Sequence, residues 1–304
     1  MINRVESAAA RGFFPRRRPG EPGLAVFLNA GDPPLGAFRD IVQMLEELRV
    51  DCLELAVPFP DSCTDGPVIR RSAARALRTG VDLAAVLRAL EAVRAELTHL
   101  RVALLLDWNH TIKPVPMPEA LARLAACAPD ALLVHGLPPR LRSGYYRAAR
   151  EHGVPIITTC YPRSGVAVQA HAAAHASAYL YLVSHYGRSG GRPAVGFGEL
   201  APVISALRAQ TRVPIAVGFG VRDYRDVKAL TKIGADAVII GSAGVEKVEH
   251  ALTQHTDPVQ ALADFLHTLR PAPAPRPFQD RINLGSAVRC GASTHPDPLA
   301  RIDP

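Results

Sequence analysis

The stretch Cys52-Leu53-Glu54-Leu55-Ala56-Val57-Pro58-Phe59-Pro60-Asp61-Ser62-Cys63-Thr64-Asp65-Gly66-Pro67 decides how this chain is read. Its opening apolar run, 52–57, reads as a short buried strand. A loop marked by Pro58, Pro60 and Gly66 follows, and Pro67 suits the first turn of a helix. The unit is strand, loop, helix. Inside the strand sits one carboxylate, Glu54, and inside the loop a second, Asp65. A carboxylate buried without a partner is costly, or it shifts its pKa and goes neutral. Two carboxyl groups in unlike environments supply what general acid–base chemistry needs. The plainer alternative makes Glu54 half of a structural ion pair and Asp65 the cap of the helix at Pro67.

Working outward, the same unit recurs. Upstream lie a strand at 24–28, a turn at Asn29-Ala30-Gly31-Asp32-Pro33-Pro34, and helix-spaced Ile41, Met44, Leu45 and Leu48. Downstream, a helical stretch at 68–97 is broken by Gly80, with Asp82 placed to cap its second half. Further strands are expected at 102–106, 131–134, 155–159, 178–183, 213–217 and 237–240. Helices are expected at 118–126, 139–152, 166–175, 197–210, 221–233 and 258–269. Short apolar strands joined by crossover helices imply parallel pairing. Eight such units over about 250 residues match an α/β (β/α)8 TIM barrel, here spanning 21–270. A doubly wound open sheet is the runner-up. Residues 1–20 read as an extra helix (2–11) and a basic linker, and 271–304 as a Pro-rich, disordered C-terminal tail.

Bulk composition narrows the function classes. With 304 residues, 48% hydrophobic and 21% charged, the chain can bury one large α/β core. The net charge is +7, yet Lys supplies only four of the 35 basic residues, and the arginines are scattered apart from Arg16-Arg17-Arg18. That pattern is a solvated surface rather than a nucleic-acid footprint, and it tolerates an anionic substrate. Five dispersed cysteines without a CxxC pair argue against a disulfide framework or a zinc site. The N-terminus has no apolar signal core, and no run of about 18 apolar residues occurs. A cytoplasmic protein that does not bind membranes is expected.

In such a barrel the site lies at the C-terminal strand ends, where Glu54 and Asp65 fall. Three glycine-rich turns belong to that face: Gly187-Arg188-Ser189-Gly190-Gly191, Gly218-Phe219-Gly220 and Gly241-Ser242. Together they read as a phosphate cradle of backbone N–H groups at a helix N-terminus. A Schiff-base aldolase needs a lysine at a strand end. Lys113, Lys228, Lys232 and Lys247 stand in a loop or on helices. Asp107, His110, His135 and His185 do end strands or begin loops, and they are read as hydrogen-bonding residues rather than metal ligands. No metal or cofactor is expected.

At this point the chain resembles the tryptophan synthase alpha-subunit family, over about 24–249. The residues that carry the likeness are Leu53-Glu54-Leu55 through Pro58-Phe59 to Asp65-Gly66-Pro67, with Phe27, Gly31-Asp32-Pro33, Asn109, Pro138, Tyr179-x-Tyr181-Leu182-x-Ser184, Gly218-Phe219-Gly220 and Gly241-Ser242-Ala243. That family cleaves indole-3-glycerol phosphate to indole and glyceraldehyde 3-phosphate without a cofactor. The resemblance implies that Glu54 is the acid/base and that Asp65 holds the indole N–H. It further implies that Gly190, Gly220, Gly241 and Ser242 meet the phosphate, and that Phe27 and Tyr181 line the indole pocket.

Departures from the family pattern mark what is particular to this chain. Asp107 stands where a tyrosine is usual, which places a carboxylate among the expected substrate contacts. His185 replaces an arginine, Gly136-Leu137 an aspartate, and Ser62 a proline. The expected partners are a phosphorylated indole and a tryptophan synthase beta-type subunit, unless the chain is a stand-alone indole-releasing paralogue. Two other readings stay open: a non-catalytic subunit that activates a partner, and a phosphate-binding lyase or isomerase acting on a modified indole.

Overall fold

The computed structural model describes residues 13–15, 21–185, 187–191 and 196–270. The expected helix at 2–11 and the tail at 271–304 lie outside the described residues. Eight strands form the sheet: β1 (Gly23–Asn29), β2 (Cys52–Ala56), β3 (Arg101–Asp107), β4 (Ala131–His135), β5 (Thr158–Cys160), β6 (Leu180–Val183), β7 (Ile215–Gly218) and β8 (Ala237–Ile240). Every named pair is parallel, in the order β4-β3-β2-β1-β8-β7-β6-β5. The two ends of that order meet. Leu132 N–H donates to Pro155 O and Ile157 N–H to Leu132 O, both at 2.9 Å. The sheet thereby closes into a (β/α)8 barrel, and the open-sheet alternative falls away.

The outer layer comprises α1 (Phe38–Glu47), α2 (Pro67–Arg78), α3 (Leu83–Val93), α4 (Met117–Ala126), α5 (Arg142–Glu151), α6 (Val166–His175), α7 (Ala201–Arg208), α8 (Tyr224–Lys232), α9 (Ser242–Thr253) and α10 (Pro258–Thr268). On α1 the buried residues Phe38, Ile41, Val42 and Leu45 recur at helical spacing and face the sheet. Asp82 caps α3 by accepting from Ala85 N–H at 2.8 Å. No described helix is long and apolar enough to cross a membrane.

Several boundaries shift by a few residues from expectation, and two of the differences have a clear physical reason. The strand expected at 155–159 begins only at Thr158, because Pro155 has no N–H to offer a ladder and Ile156 makes a lone bridge. The helix after β8 is not 258–269 alone: α9 precedes it and starts directly at the strand end. Its buried Gly244, Val245, Val248 and Ala251 are too small to stand out as an apolar stripe.

Strand alternation sorts the two cores. Leu53 and Leu55 face the helices, while Cys52 faces the barrel lumen, which puts Glu54 on the lumen side. The lumen floor is made of small residues, including Ala25, Cys52, Ala103, Ala131, Ala216 and Ala237. The space they leave is filled by Tyr179 and, from the segment read as a linker, by Phe13 and Phe14. A Cβ at position 23 would come 2.6 Å from the Phe14 ring, so this glycine admits the plug.

Candidate active site

A cavity of about 1080 Å³ opens at the C-terminal ends of the strands, at the upper end of the usual range for small-molecule sites. Eight of the nine residues expected from sequence line it: Phe27, Glu54, Asp65, Tyr181, Gly190, Gly220, Gly241 and Ser242. They come from five of the barrel's strand ends. Asp107 is the exception.

Glu54 is 1% exposed, and Tyr179 donates its hydroxyl hydrogen to Oε1 at 2.5 Å. Burial pushes its pKa from 4.5 up to about 7, against the pull of the Tyr179 hydrogen bond, which favours the carboxylate. Near neutrality the group therefore holds a proton part of the time. It can give one and take one.

Asp65 sits half-buried on the loop after β2. Burial raises its pKa, while a Ser62 hydrogen bond, the His135 ring, a Ser189 hydrogen bond and Arg70 draw it back down. Gly66 is the N-cap of α2 and makes no side-chain cap, so the capping alternative for Asp65 fails. Instead the loop is stitched to the loop after β6. Gly66 N–H donates to Ser189 Oγ at 2.8 Å, and Ser189 N–H donates to Thr64 O at 3.0 Å. A Cβ at position 66 would overlap the Ser189 carbonyl oxygen. Only glycine permits this approach.

The three glycine turns contribute Gly190, Gly220 and Gly241 to the cavity wall near the start of α9, and the first of them is joined to the Asp65 loop through Ser189. Gly190 and Gly220 have φ of +86° and +76°, open to glycine and strained for other residues. Arg222 donates to Gly190 O at 2.7 Å and holds that turn. Ser242 Oγ is buried and, among the described residues, has no hydrogen-bond partner. A hydroxyl unpartnered among the described residues, at a helix N-terminus beside two glycine turns that line the cavity, is suited to an anion. Phe219 lies between the glycines with φ +74°, a strained conformation for an aromatic residue that turns its ring edge-on to Tyr181 at 6.4 Å.

Asp107 corrects an expectation. Its carboxylate is buried and engaged by the turn that follows it, accepting from His110 N–H at 2.9 Å and pairing with His110 Nδ1 at 2.7 Å. It caps the helical turn Trp108–Ile112 and does not line the cavity. The strand-end histidines are likewise engaged locally: His135 Nε2 lies 3.4 Å from Thr64 Oγ1, and His185 Nδ1 lies 3.1 Å from Ser184 Oγ. Among the described residues no three His, Cys, Asp or Glu side chains are placed to hold a metal ion.

The family model described as tryptophan synthase alpha chain matches residues 14–272. The chain belongs to the tryptophan synthase alpha-chain family. It is similar to the alpha chain of Ralstonia nicotianae, with 34% identity over 88% of this chain and 98% of that one. It is similar also to that of Synechocystis sp., with 32% identity over 88% and 99%. Among solved structures, the alpha subunit from Legionella pneumophila superposes with a TM-score of 0.75 at 25% identity, covering 88% of this chain and 97% of that one. A tryptophan synthase complex from Pyrococcus furiosus contains a chain that superposes at 0.71, with 25% identity over 82% and 98%. Tryptophan synthase alpha chains are carbon–carbon lyases that work on indole-3-glycerol phosphate.

Four residues at or beside the cavity were given no site role from sequence, although His135 was read there as a strand-end hydrogen-bonding residue. Tyr179 was visible only as part of a motif, and its role depends on a contact across 125 residues. Ser189 was one polar residue in a glycine-rich run. His135 ends β4 and Thr159 lies inside β5, and both face the cavity, which the alternation of Leu133 with His135 and of Ile157 with Thr159 already implied.

Proposed function

We propose that this chain cleaves indole-3-glycerol phosphate to indole and glyceraldehyde 3-phosphate, with Glu54 and Asp65 as its catalytic carboxylates. Support comes above all from Glu54, a carboxyl group poised near neutrality in a cavity that is also lined by the glycine turns and the Ser242 hydroxyl, groups suited to an anion. Protonating indole C3 moves positive charge to the ring nitrogen, where the Asp65 carboxylate stabilises it through the N–H. Removal of the glycerol hydroxyl proton then forms the aldehyde. The C–C electron pair returns to the ring, and neutral indole leaves. One proton is given and one taken, as a group with the Glu54 titration can do.

The phosphate would meet backbone N–H groups at Gly190, Gly220 and Gly241, with the Ser242 hydroxyl donating to it. Phe27 and Tyr181 would flank the indole ring. Free cysteines at 52, 63, 127 and 160 and a phosphorylated substrate favour a cytoplasmic setting.

The test is indole release by purified protein, with and without a beta chain. Glu54→Gln and Asp65→Asn should each remove about 100-fold or more of the rate while leaving the fold intact. Near-wild-type turnover in either variant sinks the assignment. A beta chain that raises the rate by more than about tenfold would favour the subunit reading over the stand-alone one.

A further inference from the structure

The polar side chains His135 on β4 and Thr159 on β5 have no counterpart on plain indole. Around the barrel, β8 lies across from β4, four strands away in either direction. A substrate whose phosphate is held at the turns after β6, β7 and β8, and whose N–H is held from the β2 loop, points the far edge of its ring at β4 and β5. His135 and Thr159 stand there. Thr159 is exposed to the cavity between the buried Thr158 and Cys160, and its hydroxyl has no hydrogen bond among the described residues. His135 is held by Thr64 at Nε2, and Phe59 stacks on its ring at 6.3 Å and 25°. Its Nδ1 has no partner among the described residues. Leu105, Leu133 and Ile157 are apolar parts of the lining around these two, and Thr64 and Thr158 are polar ones.

Closing a benzo-ring C–H edge against this pair would strip both groups of water and return nothing. Closing a hydroxyl against them would satisfy both, since histidine can accept or donate and threonine can do either. A site that reads a hydroxyl rejects the analogue lacking it far more strongly than an apolar site senses a methylene.

Resting on the lyase reading above, we propose that the preferred substrate is an indole-3-glycerol phosphate carrying a hydrogen-bonding substituent, a hydroxyl foremost, on its benzo ring, read by His135 and Thr159. These are specificity residues. They touch the ring edge, and the carboxylates do the chemistry.

The test compares kcat/KM for indole-3-glycerol phosphate with that for analogues hydroxylated at each benzo-ring carbon in turn, for wild type and for His135→Ala, Thr159→Val and the double variant. At least one hydroxylated analogue should exceed the parent by about tenfold, each single variant should shrink that preference, and the double variant should bring it to near unity. The ratio is taken within one preparation, so a partly unfolded variant does not distort it. A parent substrate preferred over every analogue overturns the inference and leaves the lyase reading standing. So do variants that slow parent and analogue equally, which would make His135 a positioning group for Asp65. No turnover of any of them, with or without a beta chain, overturns the lyase reading, and the inference with it.

Discussion

Replacing Glu54 by glutamine should make the protein more stable while removing its chemistry. In the unfolded chain this carboxyl titrates at its ordinary 4.5; in the folded chain burial moves it to about 7. Between those values the folded state binds more proton than the unfolded one, so stability falls as pH rises through the interval and levels off above it. At about 1.4 kcal/mol per pH unit, the interval corresponds to about 3 kcal/mol of stability lost to holding a buried carboxylate. Glutamine keeps an oxygen that can accept from Tyr179 and carries no charge, so this loss does not occur in the variant.

The assay is urea unfolding of both proteins from about pH 5 to about pH 8, read as the difference between them. All other groups titrate alike in the two proteins and cancel. The variant should be close to wild type at the acid end and ahead by about 3 kcal/mol at the alkaline end, with lyase rate down by about 1000-fold. A difference that stays flat with pH would refute the reasoning, because it would mean that Glu54 is not held away from water in the folded state.

Other parts of the site can be tested separately. Tyr179→Phe removes the hydrogen bond that favours the carboxylate, so the Glu54 pKa rises further and the acid limb of kcat/KM moves to higher pH; a pH–rate profile reads this directly. Gly66→Ala drives the β2 loop off Ser189 and displaces Asp65, and kcat should drop by about 100-fold while urea unfolding stays near wild type. Ser242→Asp sets a carboxylate where the phosphate is proposed to sit, and should raise KM by about 100-fold, measured by steady-state kinetics at low salt.

Glu54 was legible because a charge inside an apolar strand has no packing reason to be there. Asp65 was legible by its proximity to Gly66 and Pro67. The glycine turns were legible because three of them fall at neighbouring strand ends once the strands are counted. What stayed hidden has a common physical cause: it depends on contacts made across the barrel. Tyr179 reads as one more apolar strand residue until the closed sheet sets it under Glu54. Asp107 reads as a site residue by position, but a strand-end aspartate before a helical turn has a nearer use, capping His110 N–H, and that local bond won. The start of α9 was missed because its buried face is made of glycine, alanine and valine.

Phe13 and Phe14 give the clearest case of a distant segment setting the chemistry. In sequence they precede a basic Pro/Gly run and look like linker. In the fold their rings lie 5.1 Å and 5.2 Å from the Tyr179 ring, and the Arg101 guanidinium lies 4.9 Å over Phe13. They fill a lumen floor that its own residues, mostly alanine, are too small to fill. The two rings pack against the tyrosine that donates to Glu54. Desolvation is the largest cause of the raised Glu54 pKa. On the proposed reading of Glu54 as the acid–base group, the plug therefore serves the chemistry as well as the core: it adds to the burial around the carboxyl and packs against the tyrosine that donates to it.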